Sequence, residues 1–410
     1  MKKKPLFAPS RVQTGRGSAP AGIPLGGRLR GLLALGLCLC LALGPLPAPA
    51  LAAGAPTTKW EDNADIAWYS GHESDTEFTL TTAAQLAGLA AKVNAGTDFA
   101  NKTIRLGANI DLAAHLWKPI GGWDREAGKD RLFNGTFDGG GKTIRGMTVS
   151  STDMFQGLFG KVGTNGTVHS LYIAGAAVSK AAHDNGGTCM GILAGENEGA
   201  IYDCAVSGSV EYLDDAVSGS SSYIGGLAGR NTGTVKNCGA QLTKLDGSFG
   251  LSNGSGGLNM GGIAAEGTVE NCFADADAAN VAVTGSGATD KRYRLAPTAS
   301  YSYWDGTTAL TDSSAPNAPS YTQCYEVTAE QIAGTGSSVI GSGSTHAQTP
   351  SLVMALNNWT AAQSGGSAYS DWALKNGAPL PKVLVPAYID IGVIPEQSKE
   401  SVTGDVNADV

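Results

Sequence analysis

The chain has 410 residues, 58 of them Gly, with 16% charged side chains and a formal net charge of −8. Gly at that level without a strict three-residue period excludes collagen, and aliphatic residues that recur in register exclude a disordered chain. An acidic balance without a basic stripe interleaved with aromatics excludes nucleic acid as a partner and disfavours anionic membranes.

Residues 1–53 hold seven basic side chains (Lys2, Lys3, Lys4, Arg11, Arg16, Arg28 and Arg30) and no acidic one. An apolar run at 31–44 follows, and then the proline-rich stretch 45–53 with an A-x-A-like end. A basic lead, a short apolar segment and a small-residue end read as a secretory signal peptide cleaved near Ala52 or Ala53. The run is too short for a membrane span. Cys38 and Cys40 lack the small residue expected before a lipidated cysteine. Removing the segment leaves 21 basic against 36 acidic residues, a formal −15, and five cysteines: Cys189, Cys204, Cys238, Cys272 and Cys324. An odd number argues against a complete disulfide framework.

Residues 54–77 form a polar lead-in. A strand at 78–80 then enters a helix, with Thr82 and Gln85 as its capping box. Leu86, Leu89, Ala90 and Val93 follow at helical spacing, and Gly96 is the stop. Strand-like pieces occupy 102–106, 109–112 and 134–149. The first coil of a parallel β-solenoid exposes a strand edge and an open core end, and a short amphipathic helix covers both.

The segments 155–161, 190–196, 224–230 and 260–266 read FQGLFGK, MGILAGE, IGGLAGR and MGGIAAE. Each is followed by an apolar pair spaced by three: Val168 and Leu171, Ile201 and Cys204, Val235 and Cys238, Val269 and Cys272. The three cysteines recur at intervals of 34 residues. Such phase marks a solenoid, in which each repeat buries its face against its neighbours. The three-residue spacing implies a corner, and Ser170, Asp203, Asn237 and Asn271 stand at it. Asn and Asp tolerate the left-handed conformation a sharp bend needs. Stacked coils would turn them into a side-chain ladder beside a buried stack of thiols. The cysteines there act as small hydrophobes, although neighbours at about 4.8 Å also lie within disulfide reach. Gly157, Gly191 and the pairs at 225–226 and 261–262 permit bends and close backbone approach. The last motif has Ala265 for the final Gly and a spacing two residues shorter, so its turn should be tighter. A coil of about 34 residues suits three short strands better than a propeller blade of about 40 or more. The expected fold is all-β: a right-handed parallel β-helix with short capping helices. Past residue 280 the period fades, with capped helices expected at 328–331 and 352–359 and a closing segment at 371–383.

Together these features resemble the GLUG-motif proteins, secreted bacterial β-helices whose signature stands here as GGLAG at 225–229 and in looser form at 191–195. Trp117 with the KPIG that follows it, the stretch 133–147 and the closing Trp372 and NGAPLP at 376–381 are similar to that family as well. The resemblance covers 78–386 and implies a secreted or cell-surface binding architecture, often part of larger adhesin-like or peptidase proteins. It implies no shared catalytic set.

No zinc, triad, Walker or dinucleotide motif is present. His72, His115, His169, His183 and His346 are unpaired by any ligand spacing and read as surface residues. A β-helix polysaccharide lyase or glycoside hydrolase is the alternative, needing paired carboxylates along one groove. Only Asp124, Glu126 and Asp130 cluster, in one loop. Trp117, Trp123 and Trp304 could stack on sugar faces, so Trp117, Trp123, Asp124 and Trp304 are the candidate ligand-binding residues. In the acidic tail 387–410, Asp405, Asn407 and Asp409 match the opening of an EF-hand-type calcium loop without its Gly or closing acid. That run looks like a dockerin start, for which cohesin would be the partner and calcium the cofactor only if the loop continued. Otherwise no cofactor is expected. The sequence points to a secreted or surface-displayed, non-catalytic module that binds an extracellular glycan or matrix protein.

Overall fold

The computed structural model describes residues 56–180, 187–218, 220–253, 255–284, 288–340, 349–363 and 368–385. Residues 1–53, where a signal peptide is expected, and the tail carrying Asp405, Asn407 and Asp409 lie outside the described residues, as do His183 and His346.

The chain winds as a parallel β-solenoid. In one coil, strand Cys189–Met190 passes through a tight arch into Ala194–Asn197, turns into Ala200–Tyr202, rounds a corner at Asp203 and continues as Ala205–Ser218. The next coil repeats this order and pairs in parallel, Cys189 with Tyr223, Ala194 with Ala228, Ile201 with Val235 and Val206 with Ala240. Stacking gives a five-stranded sheet from the first strands, a four-stranded sheet from the second, and a long 17-stranded sheet from the rest.

The motif glycines serve the arch. A methyl at Gly225 would stand 1.8 Å from the Ala228 carbonyl oxygen, and one at Gly261 1.9 Å from that of Ala264. Only a residue without a side chain fits there. The shortened fourth motif does make a tighter turn. Gly267, at φ +96°, follows directly on the strand Ala264–Glu266, where the preceding coil still has Asn231, Thr232 and Gly233 before its next strand.

The expected corner is present and its left-handed series is longer than expected, while the side-chain ladder links Asp203, Asn237 and Asn271. Ser170, Asp203, Asn237 and Asn271 all have φ between 51° and 55°, and Tyr301 (49°) and Gln323 (53°) continue the series. Asn237 Nδ2 donates to Asp203 Oδ1 at 2.6 Å, and Asn271 Nδ2 donates to Asn237 Oδ1 at 2.6 Å. The ladder stops where Tyr301 follows, leaving Asn271 Oδ1 without a donor among the described residues. Inside the corner, Leu171, Cys204, Cys238, Cys272 and Ser302 are fully buried. All five described cysteines are free thiols. Cys204 and Cys238 donate weakly to the carbonyls of Tyr202 and Lys236, and burial pushes the Cys272 thiol up to about 12.

Helix α1 (Ala83–Asn94) caps the first coil. Thr82 Oγ1 accepts from Gln85 N, while the Gln85 side chain reaches one residue further back than a standard box, to Thr81 N. The lead-in, expected to be merely polar, packs on this end. Trp68 and Tyr69 join Phe78 and Phe99 in an aromatic cluster, and Trp60 Nε1 donates to the Leu112 carbonyl.

At the other end, α2 (Ala329–Ala333) has the full Thr328–Gln331 capping box, and α3 (Leu352–Ala362) follows. The hairpin Trp372–Lys375/Ala378–Pro381 then lies over the corner ladder. Ser370 N donates to both Asp203 carboxylate oxygens at 3.0 Å, and Trp372 Nε1 donates to Asn237 Oδ1 at 2.5 Å. Asn271 Nδ2 meets the Leu356 carbonyl at 3.3 Å. The C-terminal segment is therefore a clasp over the ladder, which leaves those amides no free face for a ligand.

Because Asn237 bonds to both ladder neighbours and to the clasp, Asn237→Ala should cost about 2–4 kcal/mol by stranding buried partners. Cys238→Ser should cost about 1–3 kcal/mol by burying a poorly paired hydroxyl. Denaturant melts of both variants check this; unchanged midpoints would contradict the ladder and the stack.

Candidate functional site

A hairpin projects near the N-terminal end, strands Gly122–Asp124 and Lys129–Arg131 pairing antiparallel with Trp123 opposite Asp130. It is held at both feet, where Ile120 bridges Phe159 and Phe133 bridges Val162. Asp124 organises it. Its Oδ2 accepts from Arg131 at 3.0 and 2.6 Å, and its Oδ1 accepts the backbone N–H of Glu126 and Ala127 at 3.0 Å. Those backbone bonds and the Arg131 guanidinium hold the Asp124 carboxyl below its ordinary range. Asp130 is bound to Lys161 at 2.8 Å. Asp124 and Asp130 are thus ion-paired scaffolding, and Glu126 remains at the tip.

Beside the hairpin lies an open cavity of about 340 Å³, walled by Trp123, Asp124, Glu126, Lys118, Asp153 and Phe155 among others. Trp123 is 44% exposed, and Lys118 pairs with Asp153 at 2.8 Å. An exposed indole beside charged and amide groups is suited to a ligand with both a flat apolar face and a hydroxylated edge.

From Phe155, at the wall of this cavity, one row runs along the solenoid, and a second row runs on the other side of the arch. The five-stranded sheet carries Phe155, Cys189, Tyr223, Asn259 and Lys291 in register. The four-stranded sheet carries Lys161, Glu196, Arg230 and Glu266 in register. Signs alternate along the second row: Lys161 to Glu196 is 2.7 Å, Arg230 to Glu196 2.9 Å and Arg230 to Glu266 2.7 Å. Burial by itself would lower the Lys161 pKa, but bonds to Asp130 and Glu196 outweigh it and hold the ammonium above its ordinary value. The rows touch: Lys161 sits 4.7 Å from the Phe155 ring centroid and Arg230 5.9 Å from that of Tyr223. A second cavity of about 390 Å³ opens two coils on, bordered by Tyr223, Asn259, Glu266, Lys291, Tyr293 and Thr298 among others.

Of the residues expected to bind ligand, only Trp123 and Asp124 share a cavity. Trp117 is a correction: it is 3% exposed, and its Nε1 donates to the Leu158 carbonyl at 3.0 Å, so it packs the core. Trp304 lies in a later coil, half-buried between Tyr321 and Arg294, its Nε1 3.4 Å from Glu326. His169 is not a plain surface residue. It stacks at 5.0 Å on Tyr202, and burial lowers its pKa. The charged row was not foreseen from the sequence, although its signal was the last residue of each motif: Lys, Glu, Arg, Glu.

No family profile matches the chain. It is 30% identical over 146 residues to a protein of Evansella cellulosilytica described as a Gly-rich membrane protein, covering 35% of this chain and 16% of that one. It is 32% identical over 130 residues to halomucin of Haloquadratum walsbyi, covering 30% of this chain and 1% of that one. The chain therefore spans less than a fifth of either relative. Among solved structures, a protein of Bacteroides ovatus described as an immunoglobulin A1 protease is similar at TM-score 0.41 and 16% identity, covering 75% of this chain and 92% of that one. No helix among the described residues is long and apolar enough to cross a membrane.

On the long sheet the Asp275 carboxyl is shifted upward. Asp275 lies one residue past the paired Ala274 and Trp304, and burial, then Asp305 and Asp277, push it up to about 6. A folded pKa above the unfolded value means that the folded state holds the proton more tightly. Its stabilisation is present below about pH 4 and is lost as pH rises toward about 6. Asp275→Asn should therefore raise stability at pH 8 by about 1–2 kcal/mol, after discounting for partial exposure, and flatten the loss between pH 4 and 6. Thermal melts across that range check the effect.

Proposed function

We propose that the chain is a secreted or surface-displayed, non-catalytic binding module whose ligand is a glycan, taken up at the Trp123 cavity. The observation that carries this reading is an exposed indole fixed on a braced hairpin above a polar cavity. Rigid presentation lowers the ordering cost of binding. Non-catalytic binding is supported by the state of the nearby acids: Asp124 and Asp130 are consumed by Arg131 and Lys161, so the hairpin holds no free acid pair of the kind glycoside hydrolysis requires. A place outside the cell accords with the printed names of the two partial relatives, a membrane protein and halomucin. The assignment to the GLUG-motif proteins belongs to the same proposal and rests on the repeated motif and the arch it builds.

Trp123→Ala should weaken retention on bound glycans at least tenfold, about 1.4 kcal/mol, without moving the melting temperature. Trp117→Ala should instead lower stability by about 3–5 kcal/mol. Glycan-array binding with parallel melts separates the two, and unaltered glycan binding by Trp123→Ala would refute the site.

A further inference from the structure

We propose that the two facing rows form one axial cleft that holds a linear, uronic-acid-bearing polysaccharide, running from Trp123 to Lys291. This rests on the glycan reading of the Trp123 cavity and extends it to the length and charge of the ligand.

Three observations carry the extension. The two cavities border the same row of the five-stranded sheet, one at Phe155 and the other at Tyr223, two strands apart. At about 4.8 Å per strand, Phe155 to Lys291 is about 19 Å, the reach of an oligosaccharide rather than of a single sugar.

The first row alternates in relief only over its first three members. The rings of Phe155 and Tyr223 flank the small, buried Cys189, then Asn259 is buried with its amide on the Ser222 carbonyl, and Lys291 follows. Aromatic faces spaced by a dip, with an ammonium donor further along, match successive rings of a chain with hydroxyl and carboxylate substituents.

At the second cavity the charges leave one sign unanswered. Carboxylates at Asp124, Asp130, Asp153, Glu196 and Glu266 are each paired with a cation of the protein, while Glu126 stands at the hairpin tip beside the first cavity. Lys291, which borders the second cavity, has no carboxylate partner among the described residues. On a chain with a formal net charge of −8, an unmatched ammonium beside the second cavity, where Glu266 is already paired with Arg230, selects for a ligand carboxylate there.

The test is titration calorimetry of the full chain with oligomers of galacturonate, guluronate and hyaluronan, from dimers to decamers. Neutral cello- and xylo-oligosaccharides serve as comparison. Affinity for at least one acidic series should climb with length until the oligomer spans about 19 Å and then level off. Lys291→Ala and Tyr223→Ala should each remove at least fivefold from the long oligomers, leave dimer binding within twofold, and in the Lys291 variant reduce the salt dependence. Lys291 is half-buried and in no ion pair among the described residues, so its variant keeps the test open should Tyr223→Ala fold poorly. Length-independent binding, lost in Trp123→Ala and untouched by either cleft variant, would overturn the cleft while leaving the Trp123 site standing. Neutral oligomers bound as tightly as acidic ones would overturn the charge assignment. No binding of any series would remove both the cleft and the glycan reading beneath it.

Discussion

In-register parallel stacking governs this molecule. Once each coil lies over the last at about 4.8 Å, every side chain meets its counterpart in the next coil, and each row must be chemically compatible with itself. Asn satisfies that condition buried, because a carboxamide donates to one neighbour and accepts from the other, as Asn237 does between Asp203 and Asn271. A carboxylate does not, and Asp203 is accommodated at the foot of the ladder because Asn237 and Ser370 donate to it. Burial still raises its pKa. Thiols satisfy the condition as small apolar groups. Charged residues satisfy it only by alternating, which is the pattern from Lys161 to Glu266.

The same constraint explains how the ends are built. A growing stack has no intrinsic stop, and the open corner of the last ladder members would face water. Here the hairpin and α3 fold back over that corner and spend their polar groups on it, with Trp372 on Asn237 and the Leu356 carbonyl on Asn271. At the first coil α1 and the aromatic cluster around Trp68 and Phe99 close the core. Breaking the clasp would therefore expose amides whose partners lie far away in sequence.

Periodic features were readable from the residues alone. The interval between Cys204, Cys238 and Cys272, and the Asn or Asp before each, defined the corner and the thiol stack. What escaped was whatever depended on non-periodic neighbours. Tyr301 and Gln323 hold the same left-handed corner, but neither residue type announces it and the interval between them has shortened. Cys324 and Ser302 share the inward phase for the same hidden reason. Trp117 and Trp123 are six residues apart and looked equivalent. One is fixed inside by the Leu158 carbonyl, and the other rides outward on a hairpin whose fold depends on Arg131. The alternating charges stood in plain sight at the end of each motif, but their meaning required knowing that the strands stack in register.

Function then follows from placement. Strands hold the two rows rigidly, the hairpin raises one indole above them, and the acids that could have acted as a pair serve as braces. The measurement that most directly tests this arrangement follows retention on a panel of polysaccharides while monitoring new reducing or unsaturated ends over prolonged incubation. A binding module is retained and releases no ends. End formation that disappears on Asp124→Asn, Glu126→Gln or Asp130→Asn would show instead that the hairpin acids do chemistry, and would contradict their role as scaffolding.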